Sequence, residues 1–529
     1  MTKKPMSRRS LLGMIGTVAG ASAMYNAMTE LGFAQESSYA GPPKLGKAKP
    51  GASVLVLGSG LAGMVAAIEM RDAGYKVQVL EYQNRAGGRN WSLYGGDTYT
   101  ELGGATQHVG FDPGHYLNPG PWRIPYHHAG ILHYVKRLKV QMEPFVQVNY
   151  NAYVHSTFVN NGKPRRYREV QADFHGHVAE LLAKSTKQSA LDTAVSKQDQ
   201  EILLTALKAW GALDKNYEYK KGRETSMRRG FVKDYGGGLD SLPVFSEPVG
   251  LSETLNSYLW RAINWSHEFE YQTPLFQPKG GMGMIGKAFG AELGSLIQYN
   301  AKVTDIRQDK TGVTVTYVDA AKGGAARTAR ADWCVCTIPA SILSQIPMNV
   351  GGRMKAAINQ IPYGGSVKSG LQFKRRFWEQ DDGIYGGISF TNQPNALIGY
   401  PMFDYFSDGK GVLQASQASG PGGILMSAKS PEERIKDLLD YGENIHPGNY
   451  KKEFENGVSV AWHRVPWTLG CSGQWTEAGR ERHYDNLCAL DGRIVLAGEH
   501  ASRLPTWQEG SVVSATDAIL RLHAKAMTA

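Results

Sequence analysis

At 529 residues the chain is too long for one ordinary domain, and its length suggests about three. With 42% hydrophobic and 20% charged residues it reads as a soluble globular protein with a large core, which sets aside fibrous and disordered classes. The formal net charge is +10, but residues 1–50 hold seven basic and two acidic side chains and so supply +5 of it. The mild remainder, with no basic stripe interleaved with aromatics, gives no argument for nucleic-acid binding. The four cysteines, Cys334, Cys336, Cys471 and Cys488, form no C-x-x-C pair, which removes the usual zinc and iron–sulfur patterns. Cys334 and Cys336 lie two apart in a predicted strand, point to one face and read as buried free thiols. No metal-ligand spacing and no Ser–His–Asp arrangement stands out.

The chain opens on Ser7-Arg8-Arg9-Ser10-Leu11-Leu12, a twin arginine before an apolar run from Leu11 to Ala23. That run is 13 residues long, short of the ~20 that span a bilayer, and reads as a twin-arginine export signal over 1–34. It implies passage through the export machinery to the periplasm or beyond, or membrane association through an uncleaved N-terminus. Residues 35–50 read as a linker rich in Pro, Gly, Lys and Ser.

Val54-Leu55-Val56-Leu57 reads as a short buried strand, and Gly58-Ser59-Gly60-Leu61-Ala62-Gly63 as a glycine turn that opens a helix. Gly58 permits the turn, Gly60 lets the backbone approach a pyrophosphate, and Gly63 packs the helix closely on the strand. Phosphates would sit on the free N–H groups around Leu61 and Ala62. A second strand, Val77–Leu80, ends in Glu81, 18 residues past Gly63, where an acid takes a ribose hydroxyl. The stretch 111–125, with four prolines and two glycines, reads as a long crossing loop. Helical periodicity follows over Val170–Ala183 and Gln198–Ala212, then a charged, glycine-rich loop over Lys215–Asp240. Strand patterns return at Val303–Ile306, Val313–Val318, Trp333–Ile338 and Arg493–Gly498, with a helix from Ser511 onward. The nucleotide-binding sheet is therefore expected in three pieces, 51–128, 276–340 and 481–529. A helical domain over 129–240 and a substrate-binding sheet domain over 241–275 and 341–480 complete the α/β organisation.

With these residues in hand, the chain from Val54 onward resembles the flavin-dependent amine oxidase superfamily, and within it the L-amino-acid oxidases. Five signatures carry the resemblance: the Gly58–Glu81 unit; Arg85-Ala86-Gly87-Gly88-Arg89; Glu101-Leu102-Gly103-Gly104-Ala105; Val303; and Gly498-Glu499 followed by Trp507 and Ser511. The resemblance implies the amine oxidase fold and FAD as cofactor. It places Arg89, Gly104 and Ala105 beside the flavin, and the Val303 backbone at the adenine. It sets Glu499 on the ribityl chain, and the helix start at Ser511 toward the isoalloxazine.

Gly120-Pro121-Trp122-Arg123-Ile124-Pro125 is similar to the family's G-P-M-R-[IL]-P motif, with Trp for Met. There the arginine pairs with the substrate α-carboxylate, a role suited to a guanidinium fork. The resemblance also implies Tyr400 as a second carboxylate ligand, Trp507 as an aromatic wall of the cavity, and Lys368 as the residue that assists reaction with O2. His127 and His128 read as a proton relay or as loop residues. The implied activity is oxidative deamination of L-amino acids, large apolar or aromatic ones first, to a 2-oxo acid, ammonia and hydrogen peroxide. A decarboxylating amino-acid monooxygenase and a flavin monoamine oxidase are the alternatives. A homodimer is expected.

Overall fold

The computed structural model describes residues 37–529 apart from positions 193 and 240. The export signal expected over 1–34 lies outside the described residues. The run Ser53–Leu57 is strand because it is buried on both sides, and Val54 to Leu57 are at most 1% exposed. It pairs in parallel with Lys76–Leu80 on one side and with Trp333–Cys336 on the other. The sheet runs outward to Ile297–Gln298 at one edge, and to Ile494–Leu496 and the antiparallel Leu490–Asp491 at the other. It thus draws strands from three distant stretches of chain.

The two faces bury different neighbours. Val54 and Val56 face helix Leu61–Asp72 and the C-terminal helix Gln508–Thr528, through Met64, Val65, Ile68, Val512 and Ile519. Leu55, Leu57, Cys334 and Cys336 face a three-stranded antiparallel ribbon formed by Ala301–Gln308, Val313–Asp319 and Gly323–Ala331. Full burial of such Val and Leu side chains contributes about 1.5–3 kcal/mol each. The two thiols are free and unexposed, on one face, as the two-residue spacing requires.

Between the first strand and helix the turn behaves as the glycine pattern demands. Gly58 has φ +99°, and a Cβ on Gly63 would stand 2.0 Å from the Gly58 carbonyl oxygen. A Cβ on Gly60 would meet nothing within 4 Å, so the turn presents bare backbone to open space.

A second sheet has seven strands, in the order Arg165–Arg166, Tyr153–His155, Ile388–Thr391, Leu397–Gly399, Gly411–Ser419, Ser366–Phe373 and Phe454–Ala461. The stretch 129–240 is accordingly not helical throughout. Met142–Phe145 pairs with Leu275–Pro278, and Tyr153–His155 enters the large sheet. Helices Tyr167–Lys187 and Lys197–Trp210 match the periodic segments. Lys215–Asp240 is not all loop, because Arg223–Arg229 forms a helix against Tyr167–Lys187. The crossing loop 111–125 is regular only at Tyr116–Leu117 and Ile124–Pro125.

One fully buried ion pair fastens the hairpin of Thr98–Thr100 and Thr106–His108 to the helix Pro431–Glu443 on the large sheet. Glu101, in the turn that ends at Ala105, accepts from Arg434 Nη1 at 2.9 Å and Nη2 at 3.0 Å, and both side chains are fully buried. Arg464 adds a longer contact at 3.3 Å. Removing one member of such a pair strands the other charge, at a cost of about 3–5 kcal/mol. Glu101→Ala should lower the denaturant midpoint by the equivalent of that cost. A loss under about 1 kcal/mol would show that Arg434 reaches water instead.

Candidate active site

The loop Pro119–Pro125 is held at four points. Trp462 Nε1 donates to the Pro119 carbonyl at 2.7 Å, and Lys368 Nζ donates to the Gly120 carbonyl at 2.6 Å. Gly120 lies against the backbone of the glycine–arginine loop, since a Cβ there would stand 2.0 Å from the Arg89 carbonyl oxygen. Ile124–Pro125 then pairs with Leu275–Phe276. This loop therefore joins the nucleotide-binding turn, the large sheet and the strand after the helical segment.

Arg123 projects from the loop into an aromatic enclosure. Its Cζ lies 4.5 Å from the ring centre of Tyr271, 5.0 Å from Trp265, and 5.6 Å from both Trp122 and Phe145. The residue is 5% exposed, and its Nε and Nη1 have no hydrogen-bond partner among the described residues. Burial lowers its pKa, against the attraction of Tyr271 and Glu268. Ring faces attract a cation but leave its donors unused. A buried fork with spare donors is a receptor for an anion.

Lys368, on the strand Ser366–Phe373 next to the edge of the seven-stranded sheet, is also buried. Its Nζ lies 5.9 Å from the Trp122 ring centre. Burial, reinforced by repulsion from Arg123, pulls its pKa down to about 7. Trp507, at the start of the C-terminal helix, packs 5.7 Å from Tyr271 and 5.1 Å from His128. Glu509 fixes that helix by accepting from the Gly130 and Ile131 backbone N–H groups at 2.8 and 2.7 Å. Trp122 thus links Arg123 to Lys368, and Tyr271 links Arg123 to Trp507, so the three gather around one aromatic cluster.

Tyr400 does not join them. Its hydroxyl is bonded to Ser389 Oγ at 2.7 Å and His446 Nε2 at 2.8 Å, and its ring belongs to the core with Ile398 and Leu413. The neighbouring position faces the other way, since a Cβ on Gly399 would stand 2.2 Å from Trp122. Strand alternation therefore turns Tyr400 away from the arginine and corrects its expected role as carboxylate ligand. Tyr271 stands in its place beside Arg123. It lies in a three-residue turn, Phe269–Tyr271, that carries no motif. Among 26 tyrosines nothing in the sequence singles it out.

The cofactor-side residues surround the glycine turn. Glu81 accepts from Ser59 N at 2.6 Å, Ser59 Oγ at 2.8 Å and Gln83 N at 2.8 Å, and so braces the turn at the strand end. The helix that begins at Leu61, Ala62 and Gly63 has no side-chain cap, leaving its first N–H groups for a ligand. Arg89 Nη1 donates to Glu499 at 2.7 Å and to the Cys471 carbonyl at 2.9 Å. Burial opposes both charges, but their attraction prevails, so Arg89 is raised and Glu499 lowered. Gly473 N and Thr506 N also donate to Glu499. Gly104 has φ +89° and open space at its Cβ position, with Ala105 beside it. Val303 lies under the sheet in the cluster with Leu55 and Leu80. Ser511 lies in the first turn of the C-terminal helix, but Ser514, one turn on, accepts from Gly498 N at 3.1 Å. An uncapped helix start, two glycines facing open space and a braced acid at the second strand fit a flavin dinucleotide.

The fold and sequence have clear relatives. A model of flavin-containing amine oxidoreductases matches residues 61–518. An L-amino-acid oxidase of Siganus canaliculatus is 27% identical over 477 residues, covering 89% of this chain and 85% of that protein. One from Vipera ammodytes ammodytes is 28% identical over 473 residues, covering 87% and 90%. Among solved structures, cyclohexylamine oxidase from Brevibacterium oxydans IH-35A superposes with a TM-score of 0.59 at 16% identity, covering 90% of this chain and 99% of that one. A putrescine oxidase bound to putrescine gives 0.57 at 16% identity, with the same coverage. At that identity the structures establish the fold alone. The chain belongs to the flavin-containing amine oxidoreductase family, with FAD as its cofactor.

Proposed function

We propose that the protein is an L-amino-acid oxidase, and the observation that carries this reading is the buried, under-bonded Arg123. The substrate carboxylate pairs with the Arg123 fork and with the Tyr271 hydroxyl. The four rings around Arg123 exclude water and so strengthen that pair. Trp507, packed against Tyr271, would form an aromatic wall that positions the substrate. FAD, held by the glycine turn and the Arg89–Glu499 pair, would supply the acceptor for the Cα hydride and the donor of two electrons to O2. The balance is amino acid, O2 and water to 2-oxo acid, ammonia and hydrogen peroxide. The aromatic lining favours large apolar or aromatic side chains. A monoamine oxidase needs no cation at this point, so Arg123 counts against that alternative. A decarboxylating monooxygenase would share the arginine and is distinguished by an amide product.

The test is a cycle of wild type and Arg123→Ala against an L-amino acid and its decarboxylated amine. Loss of a desolvated charge pair costs about 2–5 kcal/mol. We expect kcat/KM for the acid to fall roughly 30-fold or more, with far less change for the amine. Tyr271→Phe should raise KM for the acid about tenfold. Equal losses on acid and amine would leave Arg123 a structural residue.

Lys368 is the cation placed to favour negative charge passing to O2. Because its pKa is lowered to about 7, it is charged below that pH and neutral above it. Flavin reoxidation should therefore slow as pH rises through about 7, and Lys368→Met should be slow and flat across that range. Stopped-flow absorbance times the two half-reactions separately. Damage confined to the reductive half would mean that Lys368 only pins Gly120.

We further propose that the N-terminal signal exports the folded flavoprotein. Changing Arg8 and Arg9 to Lys should leave active enzyme in the cytoplasm. Undiminished activity in the periplasmic fraction would refute this.

A further inference from the structure

The geometry points to a binding site for one divalent ion of the zinc class, formed by His127, His128 and Glu270, whose occupation inhibits the enzyme. The inhibitory part rests on the proposed substrate cavity; the metal site itself does not. Glu270 Oε2 lies 2.8 Å from His128 Nε2 and 3.5 Å from His127 Nε2. The three ligand atoms are all within 4.8 Å of one another. Zinc–ligand bonds of about 2.0–2.2 Å in a tetrahedron put ligand atoms roughly 3.3 Å apart. The two separations from Glu270 bracket that spacing, and the third pair lies within 4.8 Å, so side-chain shifts of at most about 1.5 Å would close the site.

Each ligand is already oriented by its neighbours. The His127 ring stacks on Phe269 at 4.1 Å. The His128 ring stands edge-on to Trp507. Glu270 is carried by the same turn as Tyr271 and is 5% exposed. His128 is buried, and the His127 side chain retains 11% exposure with both ring nitrogens covered, so the ion enters as the His127 ring swings outward.

The donor set decides the class of ion. Two imidazoles and one carboxylate suit zinc, nickel, cobalt and copper, and suit magnesium and calcium poorly. Three protein ligands leave a fourth position for water or a substrate group. Both histidines follow Arg123 by four and five residues, and Glu270 precedes Tyr271. A bound ion would therefore lock the arginine loop to the Tyr271 turn and hold Trp507 through His128. Its charge would also compete with Arg123 for the substrate carboxylate.

The test uses the FAD-loaded full-length enzyme and zinc chloride alone, in a buffer without phosphate or chelator. Dialysis followed by elemental analysis should give one zinc per wild-type chain. Calorimetric affinity should drop at least 30-fold in His127→Gln, which leaves the His128–Glu270 bond intact. Glu270→Gln should lose the ion as well, with flavin absorbance confirming that both variants fold. Zinc should raise KM for the amino acid in wild type and not in His127→Gln. No stoichiometric zinc, or equal affinity in wild type and His127→Gln, would overturn the site. Stoichiometric zinc with unchanged KM would overturn its inhibitory role while leaving the site standing.

Discussion

The structure is organised around one costly arrangement, a guanidinium buried among aromatic rings with part of its hydrogen-bonding fork unused. Removing a cation from water costs several kcal/mol even after relaxation, and ring faces return only part of it. A free loop would relieve this by swinging Arg123 into solvent. The loop cannot, because the Trp462 and Lys368 bonds, the close approach of Gly120 to Arg89, and the pairing of Ile124 with Phe276 hold it on both flanks. The scaffold thus keeps the cation inside with Nε and Nη1 unbonded among the described residues, even though Glu268 attracts it.

Those pins explain the discontinuous chain. Lys368 reaches Gly120 across 248 residues, and Arg89 reaches Glu499 across 410. The glycine turn is braced against Thr337, 280 residues on, through its bond to the Leu57 carbonyl. No one segment can form the site, and ordering it requires the closure of several long loops. A site of this kind exists only in the completed fold. Export in the folded state, as proposed for the twin-arginine signal, would suit that requirement, since such a chain would have to enclose its flavin before export.

Legibility in the sequence followed the range of the physical constraint. The glycine turn, its acid and the buried strands are local: each residue's role depends on neighbours within about 30 positions, and periodicity with backbone sterics suffices to find them. Arg123 was readable because its loop carries a dense motif. Tyr400 was misplaced because a strand's side chains alternate, so an uncertainty of one residue exchanges the cavity face for the core face. Gly399 is the residue that faces Trp122. Glu270 and Tyr271 were not legible, since their partners lie over 140 residues away and their turn has no periodicity. Met142–Phe145 escaped because Pro144 sits within a strand of only four residues.

The two buried cations are coupled through the space they share. With the cavity free of anion, Arg123 repels the Lys368 ammonium and helps hold its pKa near 7. A carboxylate on Arg123 cancels much of that repulsion, because its charge lies in the same low-dielectric enclosure. Anion binding at the arginine therefore favours protonation of the lysine. By reciprocity, a protonated lysine favours the anion. If Lys368 assists electron transfer to O2 as proposed, its positive charge would then be strongest while a carboxylate is bound at Arg123. Two cations in one pocket, unfavourable in the free enzyme, become complementary once the ligand's single negative charge stands between them.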